Sequence, residues 1–148
     1  MDRQQNYGFL LRDVSQRYTD RFEQHARQLA LTLMQCKVLV HLDKNEGISQ
    51  ARLAQLTAIE PMMMVRLLNR MEEERFLERR SDPVDRRARR LYLTEQARPL
   101  VDEIWRLAAK TRAEMFANVS RQDRETFLRV LEQAQQNLTD LPQVQMKA

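Results

Sequence analysis

The sequence is poor in residues that several common kinds of protein require. It has two glycines and four prolines, too few for the many tight turns of a β-sandwich or barrel. Gly8 and Gly47 stand apart, so there is no glycine-rich phosphate-binding loop. A single cysteine, Cys36, excludes an intrachain disulfide and is typical of an intracellular protein. Because no apolar run approaches the roughly 20 residues that span a bilayer and the N-terminus lacks a signal-peptide core, we expect a cytoplasmic protein without membrane contact.

Residues that carry catalysis or bind metals are also scarce. His25 and His41 are the only histidines, and neither has a cysteine or carboxylate at a spacing typical of a zinc site. There is no nucleophile elbow or other catalytic motif. The sequence therefore predicts no enzyme, no cofactor and no metal. A buried, unreactive thiol is favoured for Cys36 over a redox-active one, although the start of a helix lowers a thiol pKa.

Positive charge is concentrated in one segment. From Arg75 to Arg90 there are seven arginines and three acids, and the rest of the chain is neutral overall, so the whole net charge of +4 lies here. One interpretation is a solvated charged loop. The interpretation that we favour is a phosphate-binding patch, because clustered arginines displace counterions from nucleic acid and their planar forks fit phosphates and guanine edges.

Apolar residues at three- and four-residue spacing predict four helices before this basic segment. Capping residues and a proline at a first helical position indicate where three of them begin. The expected helices are 7–28, one from the Thr32–Gln35 capping box to about Gly47, a short one capped by Ser49, and one from Glu60-Pro61 to about Glu74.

The pattern then becomes alternating, which predicts two short strands, 76–80 and 89–93, around a turn. Thr94 is expected to cap a long fifth helix, and Ser120 with Asp123 a sixth. Short helices followed by a basic hairpin are typical of a winged helix-turn-helix. The expected fold class is mainly α with a small β-hairpin, a winged helix-turn-helix domain plus helices from both termini. The long terminal helices have apolar stripes too extensive for such a small core, so we expect them to pack on a second copy of the chain.

Three stretches resemble the winged-helix core of MarR-type transcriptional regulators. They are Leu53-Ala54 through Ile59-Glu60, Val65-Arg66-Leu67-Leu68, and the Asp-x-Arg wing with its following Leu-Thr, 85–94. The segment LTEQARPLVDEIWRLAAKTRAEMFANVS (93–120) resembles the SlyA branch of that family. The resemblance covers about 7–140. It implies a single MarR-like domain over 1–148, with a winged helix-turn-helix DNA-binding lobe at 32–94 and dimerisation helices at 5–30 and 95–140.

The resemblance also implies a function. Such a protein is a sequence-specific DNA-binding transcriptional regulator, expected to be a ligand-responsive repressor, that acts as a homodimer on a pseudo-palindromic double-stranded DNA operator. Its expected effector is a small aromatic or anionic molecule, bound in a cavity between the dimerisation helices and the DNA-binding lobe. The alternative is a helical protein-interaction module whose arginine cluster binds an acidic partner.

Family members place the fourth helix in the major groove and a wing arginine in the minor groove. By that resemblance Arg66 matches the recognition-helix arginine, Arg87 the minor-groove arginine and Asp85 the acid that braces the wing. An arginine inserted into a narrow minor groove responds to its negative potential, and a nearby acid stabilises its surroundings through charge-assisted hydrogen bonds. The expected DNA-binding residues are Met62, Met63, Arg66, Arg70, Arg86, Arg87 and Arg89.

The fourth helix departs from the family pattern at its start, where methionines replace small polar residues. Helical spacing places Met64, Leu68 and Met71 on a buried face. Two interpretations of Met62 and Met63 stay open: contact with thymine methyls or sugars, or insertion of one of them into the core as a gap-filler.

Two other positions carry specific expectations. Arg75 stands where the family usually has glycine, so its backbone must avoid or tolerate a positive φ. Trp105, on the fifth helix, is expected to pack in the core or at the dimer interface, with the wall of a ligand pocket as the alternative.

Overall fold

The computed structural model describes residues 6–141; the ends of the expected 1–148 domain and of the 5–30 helix segment lie outside this range. Within it the chain is mostly helical, with one antiparallel hairpin, as the sequence predicts. The elements are α1 (Tyr7–Ala26), a 3-10 turn (Arg27–Leu29), α2 (Leu33–Lys44), α3 (Gln50–Thr57), α4 (Pro61–Glu73), β1 (Leu77–Ser81), β2 (Arg89–Leu93), α5 (Arg98–Met115) and α6 (Arg121–Thr139).

Side-chain caps begin the helices where the sequence predicts them. Thr32 Oγ1 accepts a hydrogen bond from Gln35 N at 3.2 Å, and Gln35 Oε1 accepts one from Thr32 N at 2.8 Å, which completes a capping box on α2. Ser49 caps α3 and Ser120 caps α6 by a single bond each, in which the serine oxygen accepts from Arg52 N and from Asp123 N. Each cap satisfies an amide that the first helical turn leaves without a partner.

Two helix boundaries differ from the sequence-based expectation. The first helix ends early because Ala30 adopts a left-handed backbone with φ 52°, which stops it after the short 3-10 turn. The fifth helix begins at Arg98 and not directly after Thr94. Thr94 Oγ1 accepts a hydrogen bond from Ala97 N at 3.3 Å, so this residue caps the turn that precedes the helix.

The chain divides into two compact units, Met1–Arg112 and Ala113–Ala148, with the boundary inside α5. The core of the first unit draws on α1 to α5 and the hairpin. Phe22 of α1 and Leu107 of α5 are buried in this core, so the winged-helix lobe shares it with parts of the expected dimerisation helices. Its larger members are Phe22, Leu39, Leu42, Leu53, Met64, Leu68, Met71, Leu77, Leu91, Leu93, Ile104 and Leu107.

The predicted buried face of α4 is confirmed. Met64, Leu68 and Met71 are fully buried, and they occupy one face of the helix because their positions differ by four and three residues. This face fixes the rotation of α4: Leu67 packs beside it, half-buried, and the other side chains between these three are exposed.

The second unit contains α6 and the turn before it. The rings of Phe116 and Phe127 meet edge to face with centroids 5.7 Å apart, and the Arg124 guanidinium lies 5.8 Å from the Phe116 centroid. No residue of α6 is buried, although Val130 and Leu138 are apolar. Most apolar side chains of this helix are therefore exposed in a single copy of the chain.

None of the helices within residues 6–141 is both long enough and apolar enough to cross a membrane.

Candidate nucleic-acid interface

The hairpin is anchored to the helical core at its base. In its register Leu77 lies opposite Leu93 and Arg79 opposite Leu91, and the three leucines are buried. The loop between α2 and α3 forms an isolated β-bridge with β2, since Gly47 N donates to Leu91 O at 2.8 Å and Leu91 N donates to Ile48 O at 3.0 Å. The base of the wing is therefore rigid, and its turn projects from it.

A carboxylate organises the turn at the tip of the wing. Asp82 Oδ1 accepts hydrogen bonds from Val84 N at 2.7 Å and Asp85 N at 3.0 Å, and its Oδ2 accepts one from Arg90 Nε at 2.6 Å. The Asp85 amide, the Arg90 guanidinium and the Val84 amide, in that order, lower the pKa of Asp82 to about 2. Sequence reasoning counted this residue only as one acid of the turn. The missed signal was an aspartate before a proline, which commonly bonds to the backbone two residues on.

The expected wing brace, Asp85, also bonds within the turn. Its Oδ1 accepts a hydrogen bond from Arg87 N at 3.0 Å. The side chains of Arg86 and Arg87 are exposed, and among residues 6–141 neither guanidinium has a hydrogen bond or an ion pair. Arg89 Nη1 lies 3.4 Å from Ser81 Oγ, a weak contact. Hydrogen bonds therefore fix the backbone of the wing tip, while the guanidiniums of Arg86 and Arg87 remain free to bind a ligand.

Two other arginines of the cluster have partners within the protein. Arg79 pairs with Glu72 of α4, donates to Asn69 Oδ1 at 2.8 Å, and its side chain is only 17% exposed. Arg80 pairs with Glu78, and its guanidinium carbon lies 4.3 Å from the ring centroid of Tyr92. The contacts of Arg79 tie β1 to α4, and the pairing of both arginines shows that only part of the positive charge of this segment is unpaired.

The start of α4 is capped by a carboxylate. The two oxygens of Glu60 accept hydrogen bonds from Met62 N at 3.0 Å and Met63 N at 2.9 Å, and these bonds lower its pKa. Met62 is 67% exposed and Met63 47% exposed, whereas Met64 fills the core. The interpretation of Met62 or Met63 as a gap-filler is therefore wrong.

The two arginines of α4 lie on the same exposed side as these methionines, because Arg66 and Arg70 follow Met62 at intervals of four residues. Arg70 Nε is 2.9 Å from Glu74 Oε1. Glu74 Oε2 in turn accepts a hydrogen bond from Gln35 Nε2, at 2.8 Å, inside the fold. Arg66 is thus the freer of the two cations.

Arg75 adopts the left-handed backbone that glycine usually supplies between α4 and β1. Its φ is 61°, and Thr94 Oγ1 donates a hydrogen bond to its carbonyl oxygen at 2.6 Å. The chain therefore tolerates the positive φ here and does not change the bend.

A largely apolar cavity of about 330 Å³ lies between α1, α2 and α5. Trp105 is 40% exposed and lines this cavity, with Lys44 Nζ 5.5 Å from its ring centroid. Trp105 is therefore not a core residue; it lines this cavity, and its place at a dimer interface stays a prediction. The other lining residues of the cavity include Tyr18, Phe22, Leu33, Lys37 and Val40.

Cys36 also borders this cavity but is 3% exposed, and burial raises the pKa of its thiol to about 11. A thiol with this pKa holds little thiolate at neutral pH, as expected of an unreactive cysteine. In the described part of the chain no three histidine, cysteine or carboxylate side chains are grouped so that they could hold a metal ion.

Two short helices followed by a braced basic hairpin define a winged helix-turn-helix. Residues 31–88, which form the α2–α4 helices and most of the wing, match the model of the MarR family. Over its length the chain has the MarR-type fold found in solved structures. The resemblance to the SlyA branch stays a prediction.

Three solved structures illustrate this likeness. Transcriptional regulator PA3341 is 26% identical, with a TM-score of 0.83 over 91% of this chain and 99% of its own. The transcriptional repressor CouR, bound to a 23-mer DNA duplex, is 26% identical, with a TM-score of 0.77 over 86% of this chain and 90% of its own. A mutant of MarR from E. coli, complexed with operator DNA, has a TM-score of 0.76 over 86% and 91%; at 21% identity this likeness shows the fold alone.

Proposed function

We propose that this chain is a MarR-family transcriptional regulator that binds a pseudo-palindromic operator as a homodimer in the cytoplasm. Its winged helix-turn-helix lobe is 32–94, and its dimerisation helices are 5–30 and 95–140. The proposal depends on one observation: Arg86 and Arg87 stand unpaired at the tip of a wing whose backbone is fixed by Asp82 and Asp85. Unpaired guanidiniums on a rigid support are suited to a phosphate backbone and a narrow groove.

The proposed contacts divide between two grooves. Arg87 enters the minor groove, while α4 lies in the major groove with Arg66 at the base edges. Arg70, Arg86 and Arg89 contact the DNA beside them. The exposed side of α4 and the wing turn supply these groups from two elements that the Arg79–Glu72 ion pair holds together.

Replacing Arg87 tests this arrangement. We expect Arg87→Ala to weaken operator binding by about 1–3 kcal/mol, roughly 5- to 150-fold, in a titration at fixed salt. The matched control is Arg129→Ala, which removes the same charge from exposed α6 and should leave affinity within about twofold of the wild type. Arg66→Ala should change base preference as well as affinity.

The outcomes are separable. Equal effects of Arg87→Ala and Arg129→Ala would contradict the wing assignment. If the wild-type protein binds no duplex DNA even at low salt, the regulator proposal fails, and the exposed arginine pair is then better explained by an acidic protein partner.

We also propose that operator binding responds to a small aromatic acid in the cavity between α1, α2 and α5. The apolar walls suit an aromatic ring, and Lys37 supplies a cation for a carboxylate. Trp105 is the single tryptophan of the chain, so its fluorescence reports occupancy directly.

Salicylate is a suitable probe for this cavity. We expect salicylate to quench Trp105 fluorescence and to weaken operator binding over the same concentration range. Lys37→Met should raise the salicylate concentration at the midpoint of each titration by about 10-fold, a typical loss of affinity for one charged contact. Lys110→Met, at an exposed position of α5, is the matched control. If salicylate and other aromatic acids change neither signal, the effector proposal is wrong.

A further inference from the structure

The first turn of α4 presents an apolar surface to solvent. Met62 and Met63 are 67% and 47% exposed, and Val65 is 40% exposed. None of these positions is needed for the core, because Met64 and Leu68 already fill it. Large apolar groups left exposed at the start of a helix indicate a partner that buries them.

The chemistry around these methionines restricts that partner. Both oxygens of Glu60 bond to the amides of Met62 and Met63, so the amides that usually attract anions at a helix start already have partners. The carboxylate also adds negative charge there. A phosphate is therefore disfavoured at this turn, while Arg66, one turn along the same face, supplies positive charge nearby.

The same apolar surface continues between the two helices of the motif. A shallow cavity of about 210 Å³ lies between α3 and α4 beside Met62, and it is large enough to receive a small apolar group. It is lined by Gln50, Ala51, Ala54, Pro61, Met62 and Val65.

From these observations we infer that Met62 and Met63 recognise the C5-methyl groups of thymine in the operator. In the helix-turn-helix docking mode the N-terminal residues of the recognition helix reach the base edges, and in unmodified DNA the thymine methyl is the apolar group that the major groove displays. Viewed along the helix axis, Arg66 lies between Met62 and Met63, where its positive charge attracts the DNA to this turn of the helix. This inference rests on the proposed function, and it adds the chemical identity of the bases that α4 selects.

Deoxyuridine provides the test, since it pairs as thymine does but lacks the methyl group. The duplex most enriched by the full-length protein from a random-sequence pool is remade with deoxyuridine at one thymine at a time in each half-site. We expect wild-type protein to lose affinity about fourfold at one or two of these positions, the ratio that corresponds to one buried methyl-sized group. Binding is followed by fluorescence anisotropy at fixed salt.

Variants then assign the effect to residues. Met62→Gln and Met63→Gln keep an unbranched, helix-compatible side chain but remove its apolar character. Each variant should bind the thymine and deoxyuridine duplexes equally at its own position. Met62→Leu and Met63→Leu should keep the difference, and Arg87→Ala should weaken both duplexes while leaving their ratio unchanged. Circular dichroism melting verifies that each variant is folded.

Several results would overturn the inference. Specific binding with no deoxyuridine effect at any position would refute it while leaving the proposed function intact, and would assign the exposed methionines to a protein partner. A deoxyuridine effect that persists in both glutamine variants would show that other residues recognise the methyl. Failure of the protein to enrich any duplex would overturn both proposals.

Discussion

Arg75 holds a backbone conformation that costs an L-amino acid free energy. With φ at 61°, its Cβ is crowded by its own peptide group, and glycine avoids that crowding. We expect Arg75→Gly to raise the free energy of unfolding by roughly 0.5–1 kcal/mol, the relief of strain exceeding the extra freedom of glycine in the unfolded chain. The midpoint of urea denaturation measures this change.

The control for that substitution is Arg75→Ala, which removes the same charged side chain but keeps the Cβ. It should not stabilise the protein. Equal stabilisation by alanine and glycine would mean that loss of charge, and not backbone strain, is responsible.

The burial of a single side chain was predictable from the sequence only where local helical spacing decides it, and not where tertiary packing does. The spacing of Met64, Leu68 and Met71 identified the buried face of α4, because a helix turns at a fixed angle per residue. The same spacing could not decide between core and solvent for Met62 and Met63. Their exposure follows from how α4 is rotated against α3 and the hairpin, which depends on contacts distant in sequence.

At the scale of elements, the wing depends on a hydrogen-bond network in its turn. Asp82 accepts from two backbone amides and from Arg90, and its pKa of about 2 is below the ordinary value of 3.8. A depressed pKa means that the charged carboxylate stabilises the folded turn. That stabilisation is complete above about pH 4 and is lost as pH falls through 2.

We therefore expect Asp82→Asn to lower the hydrogen-exchange protection of the Val84 and Asp85 amides at pH 7. The difference from wild type should shrink between pH 4 and pH 2, where wild-type Asp82 also becomes neutral. Asp102→Asn, an exposed carboxylate of α5, is the control and should leave the wing amides unchanged. A difference that stays constant down to pH 2 would exclude the charge of Asp82 as the cause.

In the hairpin, the number of arginines in the sequence does not predict which of them are exposed. The segment 75–90 indicated a basic surface correctly, but counting could not tell arginines that face solvent from those that bond inward. Arg79 lies opposite Leu91 in the strand register, and its pairing with Glu72 depends on where α4 passes behind β1. Only the tertiary arrangement separates it from Arg86 and Arg87.

For the molecule as a whole, exposed apolar residues near the two ends of the described chain indicate self-association. Tyr7, Phe9 and Leu10 of α1 are between 61% and 75% exposed, and Leu138 of α6 is 72% exposed. We expect Leu10→Asp to raise the dimer dissociation constant by about 100-fold, since each copy loses roughly 1.5 kcal/mol of apolar burial. Sedimentation velocity over a concentration series measures it.

Gln16→Glu adds the same charge at an exposed polar position of α1 and is the matched control for that measurement. If Leu10→Asp leaves the wild-type assembly state unchanged, α1 does not form the dimer contact. Operator affinity should fall together with dimerisation, because a monomer engages only one half-site.

The fold class and element order were predictable because caps and periodicity are local signals, as at Thr32 and Ser120. The geometry of the proposed dimer is not predictable from the sequence, since an apolar stripe indicates a contact surface without showing how two copies meet. The division of the chain inside α5 had no counterpart in composition. A continuous helix gives no sequence signal where one compact unit ends.

The ion pair between Arg79 and Glu72 has a consequence for the sequences that the proposed regulator would accept. Since it fastens the hairpin to α4, the two elements proposed to bind DNA keep a fixed separation in each copy of the chain. The number of base pairs between the major-groove site of α4 and the minor-groove site of the wing must then be constant in every operator. One added base pair between them rotates the second site by about a tenth of a turn, beyond the reach of a wing that does not swing independently.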